Sequence, residues 1–271
     1  MNVYEEVRAF YLSYRGKKRI IGRSAEGRDI FAVLVGSEGE RPGISQYGMH
    51  AREWITAFLA LEHARRGVKR GGVWIVPLVN PDGALLVQEG LPCVRSALRR
   101  ERLLSLNHGD DFSLWKANAD GVDLNVNFPA RWGTGQSNLP YPAPANYIGS
   151  APLCAPESRA LVSFTRSVRP RYSLSWHTKG EEIYWRFHQP LLRAARDRRL
   201  ARVLSNCTGY PLAEAPLSAG GYKDWCVEKL KIPAFTVEAG SDALTHPLGL
   251  EAFPEIFRCC GEALFCLSGE V

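Results

Sequence analysis

The chain has no apolar run approaching the roughly 20 residues that a membrane-spanning helix requires. Its opening stretch, MNVYEEVRAFYLSYRGKK, is broken by charge before any hydrophobic segment can form. Neither a membrane anchor nor a secretory leader is expected from these residues. Internal repeats, long low-complexity tracts and CxxC pairs are also missing, and the seven cysteines are an odd number at spacings that fit no disulfide framework. They read as buried free thiols, which favours a reducing compartment, and the expected location is the cytoplasm. No nucleic-acid motif accompanies the net charge of +6, whose basic residues cluster only briefly at 15–19, 95–102 and 196–202. That excess reads first as a solvated basic surface. Attraction to an acidic substrate is the sharper alternative, and DNA or RNA is not an expected partner.

What is present is an ordinary globular balance: 271 residues, 45 % hydrophobic and 23 % charged. Such a chain buries a large core without a staple, and one domain spanning 1–271 is expected. Residues 3–14 have the pattern of an amphipathic helix. Residues 19–24 and 29–36 read as paired strands about the Glu26-Gly27 turn. Ile44–Met49 reads as a buried strand and Glu53–Arg66 as a helix stopped by Gly67. Val73–Val79 reads as a central strand closed by an Asn80-Pro81-Asp82-Gly83 turn. Residues 104–150 are rich in Gly, Pro and Asn with little periodicity, and a loop of that length usually carries function. Beyond it, helices are expected at 157–168, 191–207, 222–230 and 250–267, and strands at 172–176, 182–187 and 234–237. The alternation predicts a three-layer α/β sandwich: a mixed, mostly parallel twisted sheet flanked by helices. Ligands bind such sheets at the carboxyl ends of the strands.

His50 and Glu53 lie three apart where a strand turns into a helix, so both can point at one centre, and imidazole nitrogen and carboxylate oxygen both suit Zn²⁺. His177 follows the strand at 172–176, and Glu238 follows the strand at 234–237. Three ionisable residues at three strand ends converge on one rim. A catalytic zinc takes three protein ligands and keeps one position open. His50, Glu53 and His177 fill that set and leave Glu238 free as a base. His63, His108, His188 and His246 read as structural.

With these residues in view, the chain resembles the zinc carboxypeptidase family, the group that includes carboxypeptidase A. The likeness runs from Ile21–Arg28 through His50–Trp54, Asn80–Gly83, Gly121–Asn125, His177 and Gly220–Trp225 to Thr236–Glu238. Trp115–Asn118, His177–Glu182 and Gly220–Trp225 are similar, more narrowly, to a bacterial branch of γ-D-glutamyl-meso-diaminopimelate peptidases, which cut the stem peptide of the cell wall. The resemblance implies one zinc per chain held by His50, Glu53 and His177. It implies Asp123 orienting His50, Arg52 contacting substrate, and Glu238 as general base and later proton donor.

The pattern departs from the family in three places. Its Asn-Arg pair, which grips a terminal carboxylate, is here Asn125-Val126, and valine binds no anion. Pro216 stands where the substrate-capping tyrosine is expected. Lys116 replaces the arginine that polarises the scissile carbonyl, keeping charge but losing the bidentate fork. Lys223 takes the place that lines the specificity pocket and favours a side chain ending in a carboxylate. Lys179 is a second candidate anchor, and Tyr222 and Asn125 join the expected substrate-binding set. The expected partner is a peptide or muropeptide with acidic groups. Alternatives are a conventional C-terminal metallocarboxypeptidase, a zinc deacylase or amidase for small substrates, and an inactive peptidoglycan-binding module.

Overall fold

The computed structural model describes residues 2–37 and 41–271. Helix α1 (Val3–Ser13) leads into β1 (Lys18–Arg23), β2 (Asp29–Gly36), β3 (Gly43–Gln46), α2 (Ile55–Arg66) and β4 (Gly72–Val76). Helices α3 (Pro81–Glu89), α4 (Ala97–Asn107) and α5 (Pro156–Val168) follow, then β5 (Ser173–His177), β6 (Glu182–Tyr184), α6 (Leu191–Thr208) and β7 (Leu212–Ala213). The chain closes with α7 (Tyr222–Trp225), β8 (Ala234–Glu238), α8 (Phe253–Cys260) and α9 (Ala263–Ser268). The strands make one eight-stranded sheet in the order β1-β2-β4-β3-β5-β8-β6-β7. Its centre, β4-β3-β5-β8, is parallel, and antiparallel pairings flank it at β1-β2, β2-β4 and β8-β6.

Side chains alternate across a strand, and both faces of this sheet are apolar. Ile30, Leu34, Ile44, Trp74 and Val76 face α5 and α7. Val33, Val35, Ile75, Leu174, Trp176, Phe235 and Val237 face α2, α6, α8 and α9. This is the expected mixed three-layer sandwich, and the alternation has a direct consequence for chemistry. Leu174 and Trp176 point into the second core, so Ser173, Ser175 and His177 emerge on the opposite face. Phe235 and Val237 do the same in β8 and bring Thr236 and Glu238 out beside them. The parallel register sets His177 directly against Glu238.

The structure differs from the sequence expectation at several boundaries. Asn80–Gly83 is not a turn that ends the segment but the start of α3. The Asn80 side chain accepts from the Gly83 N–H and Pro81 occupies the first helical turn, a combination as suited to a helix start as to a turn. Helix α4 buries only Leu103, so it shows no apolar stripe in the sequence. It takes the first residues of the loop expected over 104–150; residues 108–150 are irregular, with a 3₁₀ turn at Leu124–Val126 and an isolated bridge between Leu139 and Tyr147. The final helix is two pieces, α8 and α9, and the 182–187 strand is only Glu182–Tyr184.

The Ser24–Arg28 motif is structural. Ser24 Oγ and the Glu26 N–H both donate to Asp82 of α3, at 2.8 and 2.7 Å, and Arg28 pairs with the same carboxylate at 2.7 Å. The Ala25 N–H and Asn118 Nδ2 donate to Glu157 of α5, each at 2.9 Å. This ties the β1–β2 turn to the loop that carries Lys116. Burial, with Asp82 beside it, pushes the Glu157 carboxyl up to about 7 from its ordinary 4.5. The folded chain therefore holds a proton that the unfolded chain has lost, and stability falls as pH rises from about 4.5 through 7, at up to ~1.4 kcal/mol per pH unit. Glu157→Gln should cost stability, since an amide cannot accept both hydrogen bonds, yet flatten that slope. Urea midpoints from pH 5 to 8 check this, and a variant slope equal to the parent's would remove Glu157 as its cause.

Candidate metal centre and active site

Beyond β3 the chain turns at Gly48, whose φ of +57° favours glycine and where a Cβ would lie 2.5 Å from Leu78 Cδ1. His50 is extended, and Ala51–Glu53 form a single 3₁₀ turn rather than the start of α2. In a 3₁₀ turn side chains at i and i+3 eclipse, which stacks Glu53 on His50 with Oε1 2.8 Å from Nδ1. From β5, His177 Nδ1 lies 2.9 Å from Glu53 Oε2 and 3.0 Å from His50 Nδ1. All three side chains are buried. They are the one cluster among the described residues that could hold a metal ion.

The donor set fits zinc. Two imidazoles and a carboxylate turn their ligand atoms to one point, and donors bonded at ~2.0–2.1 Å to one ion stand on the order of 3 Å apart. The second nitrogen of His50 is 3.3 Å from Asp123 Oδ1, a contact that directs the Nδ1 lone pair at the centre. Burial opposes the charge on Glu53, but His50 and His177 outweigh it and hold the carboxyl well below its ordinary range.

Asp123 serves several partners at once. It accepts from the Asn125 and Asn146 N–H groups at 3.0 and 3.1 Å, and its Oδ2 is 3.0 Å from Lys116 Nζ. Burial opposes its charge; Lys116 and His50 prevail and lower its pKa. Burial likewise works against the Lys116 ammonium, and Asp123 and Glu53 overcome it, so the lysine stays charged. Burial pushes the Glu238 carboxyl up to about 7, with His177 pulling the other way.

Two cavities meet beside these groups. One, of about 240 Å³, is lined by Asn125, Tyr184, Lys223, Asp224, Thr236 and Glu238. The other, of about 300 Å³, begins at Lys116 and Asn125 and passes Val126. Among the described residues Arg52 is held only by a 3.5 Å contact to the Leu114 carbonyl, and its buried Nε has no partner. Lys223 is in place, 2.5 Å from Asp224 and 3.0 Å from the Arg186 carbonyl. Lys179 instead turns to Asp242, donating to its carbonyl and carboxylate at 2.7 Å each.

Tyr222 is a correction. It is fully buried, its hydroxyl bonds Thr165 Oγ1 at 2.8 Å and its ring packs on Phe128 and Trp225. It lines neither cavity. Sequence reading missed Asp224, whose adjacency to Lys223 gave no signal by itself. His246, read as structural, is outside the metal cluster; burial, then the charge of Arg52, lowers its pKa to about 4, with Lys179 and His50 acting the same way. His63 is structural as expected, bonded to the Tyr47 hydroxyl and the Cys260 carbonyl.

A mixed sheet carrying two histidines and a glutamate at its carboxyl edge, beside a further half-buried carboxylate, defines a metallohydrolase. The zinc carboxypeptidase family model matches residues 12–252, and the chain belongs to that family; it is a zinc metallopeptidase. It is 35 % identical to gamma-D-glutamyl-L-diamino acid endopeptidase 1 of Lysinibacillus sphaericus, over 95 % of this chain and 68 % of that protein. Solved structures share the fold. Bovine thrombin-activatable fibrinolysis inhibitor, in complex with tick carboxypeptidase inhibitor, aligns with a TM-score of 0.76 at 21 % identity over 99 % of this chain and 95 % of its own. Murein-tripeptide amidase MpaA from Escherichia coli O157 aligns with 0.62 at 22 % identity over 96 % and 95 %.

Proposed function

We propose that this enzyme cleaves the γ-D-glutamyl–diaminopimelate bond of cell-wall peptides. The observation that carries the reading is the cavity shared by Glu238 and Lys223. A substrate side chain entering beside the general base ends at an ammonium that Asp224 positions. Diaminopimelate carries a carboxylate at its distal carbon, and lysine does not. The likeness to the Lysinibacillus endopeptidase supports the same substrate class.

In this reading His50, Glu53 and His177 hold the metal. Zinc bound there supplies a Lewis acid that acidifies water and polarises a carbonyl. Glu238 accepts the proton of the attacking water and returns it to the leaving amine. Arg52 and Lys116 offer positive charge to the oxyanion, while Asp123 fixes both Lys116 and His50. Asn125 lines the substrate's path, and Lys179, tied to Asp242, is a second anchor at the rim. The domain works as one catalytic unit over 1–271. The seven cysteines are all free thiols, which supports a cytoplasmic location, and no helix is long and apolar enough to cross a membrane among the described residues.

Incubation of the zinc-loaded enzyme with L-Ala-γ-D-Glu-meso-diaminopimelate should release L-Ala-D-Glu and free diaminopimelate by mass spectrometry. Lys223→Met should erase about tenfold or more of the preference for diaminopimelate over lysine, the loss of one charged hydrogen bond. Release of single C-terminal residues from ordinary peptides, with the γ-glutamyl bond left intact, would make it a conventional carboxypeptidase instead.

A further inference from the structure

Helix α6 runs for 18 residues, and its two faces differ in kind. Asp197, Leu200, Ala201, Leu204 and Thr208 are buried. Leu191, Leu192, Ala195, Arg198, Arg199 and Arg202 are exposed. At about 3.6 residues per turn, these six positions share one stripe directly opposite the buried one. The stripe has an apolar end and a basic end, and no carboxylate lies on it.

Leu191 and Leu192 are 85 % and 89 % exposed, more than any other large hydrophobic side chain among the described residues. Single exposed leucines are ordinary on a protein surface; here two in succession stand clear of the fold in the first turn of a helix. Further along the same stripe, Arg198, Arg199 and Arg202 make no hydrogen bond or ion pair among the described residues. The helix has one acid, Asp197, which points inward and is taken by Arg196 at 2.8 Å and Gln189 at 3.1 Å. Carboxylates beside the elements packed on α6 are also spent: Glu255 on Arg258 at 2.5 Å, Glu262 on Arg66 at 2.7 Å and Glu214 on Arg186 at 3.2 Å.

Bare leucines followed by unmatched arginines fit one kind of surface. An anionic bilayer offers phosphates to the arginines and an acyl boundary to the leucines. A nucleic acid would satisfy the arginines and leave the leucines in water. The net charge of +6 draws the whole chain the same way. We infer that the outer face of α6 is a peripheral docking surface for anionic membrane. The helix lies in the plane of the headgroups, with Leu191 and Leu192 inserted and Arg198, Arg199 and Arg202 on lipid phosphates. It rests on the bilayer and does not cross it, because Leu200 and Leu204 stay packed in the core beneath. That core covers the face of the sheet opposite the one from which His177 and Glu238 emerge, so docking leaves the catalytic side uncovered.

Flotation of the zinc-loaded protein with vesicles tests this. Phosphatidylcholine vesicles carrying about one-third phosphatidylglycerol should bind it about a hundredfold more strongly than phosphatidylcholine alone, since each arginine at an anionic surface contributes about fivefold. Combining Arg198→Gln, Arg199→Gln and Arg202→Gln should remove that factor, and high salt should weaken the parent in the same way. Leu191→Ser with Leu192→Ser should cost about tenfold on the anionic vesicles. All five positions are exposed, so zinc content and thermal midpoint should stay parental in both variants, which separates lost docking from lost fold. Equal binding to both kinds of vesicle, or binding to neither, overturns the inference. A serine variant that floats as well as the parent overturns it too, since charge alone would then be acting. Retention of the parent on duplex DNA, with no flotation on the anionic vesicles, would make the arginines a nucleic-acid face instead.

Discussion

Glu238→Gln should keep its zinc and lose about three orders of magnitude in kcat. The amide is isosteric and Glu238 is not among the three donors that meet at one point, so the metal has no reason to leave. What the amide lacks is the capacity to take a proton from water and hand it to the amine, and a positioned acid–base group contributes typically 10²–10⁴-fold. The side chain is well placed for that exchange: it stands in register with His177 and at the wall of the cavity it shares with Lys223. Metal analysis of the purified variant alongside its turnover of the γ-glutamyl tripeptide separates the two functions. Near-normal turnover would take Glu238 out of the mechanism, and loss of zinc would make it a ligand.

His177→Ala should fail in the opposite manner. The three donors stand within 2.8–3.0 Å of one another, and removing one leaves two. If a four-donor zinc site is worth about 10–16 kcal/mol, one donor is worth roughly 3–4, and affinity should fall about 10²–10³-fold. Because a metal bound only by the folded state stabilises it, the parent's thermal midpoint should drop when a chelator strips the zinc and recover when zinc returns. The midpoint of the variant should ignore both additions at micromolar metal, whereas Glu238→Gln should respond as the parent does. A His177→Ala protein that still binds zinc with parental affinity would break the proposed ligand set.

The sandwich and the metal cluster were legible in the sequence for a common reason: both rest on strands. The buried strands around Ile44, Trp176 and Phe235 are short apolar runs with a chemistry-bearing residue at or just beyond the carboxyl end of each, so the pattern alone sets His50, His177 and Glu238 on one rim. What was not legible depends on partners distant in the chain. Helix α4 has almost no buried face and α3 begins with residues equally fit for a turn, so local pattern could not announce them. Tyr222 belongs to a motif next to the site, but its hydroxyl finds Thr165 from α5 and the ring turns inward. Lys223 stands in a motif the sequence displays, yet nothing local showed that Asp224 would hold its ammonium.

The side-by-side placement of His177 and Glu238 restricts how this chain can change in length. The two residues share a pocket wall only because β5 and β8 run in phase, and a slip of one position would turn Val237 or Ala239 toward the substrate and drive the acid into the helical layer. Some fifty-five residues separate β5 from β8, and evolution or an engineer can lengthen that excursion freely in its turns. An extra residue inside β8 itself would leave a folded sheet with no working base, so inactive protein of native appearance is the failure to look for in insertion libraries across this strand.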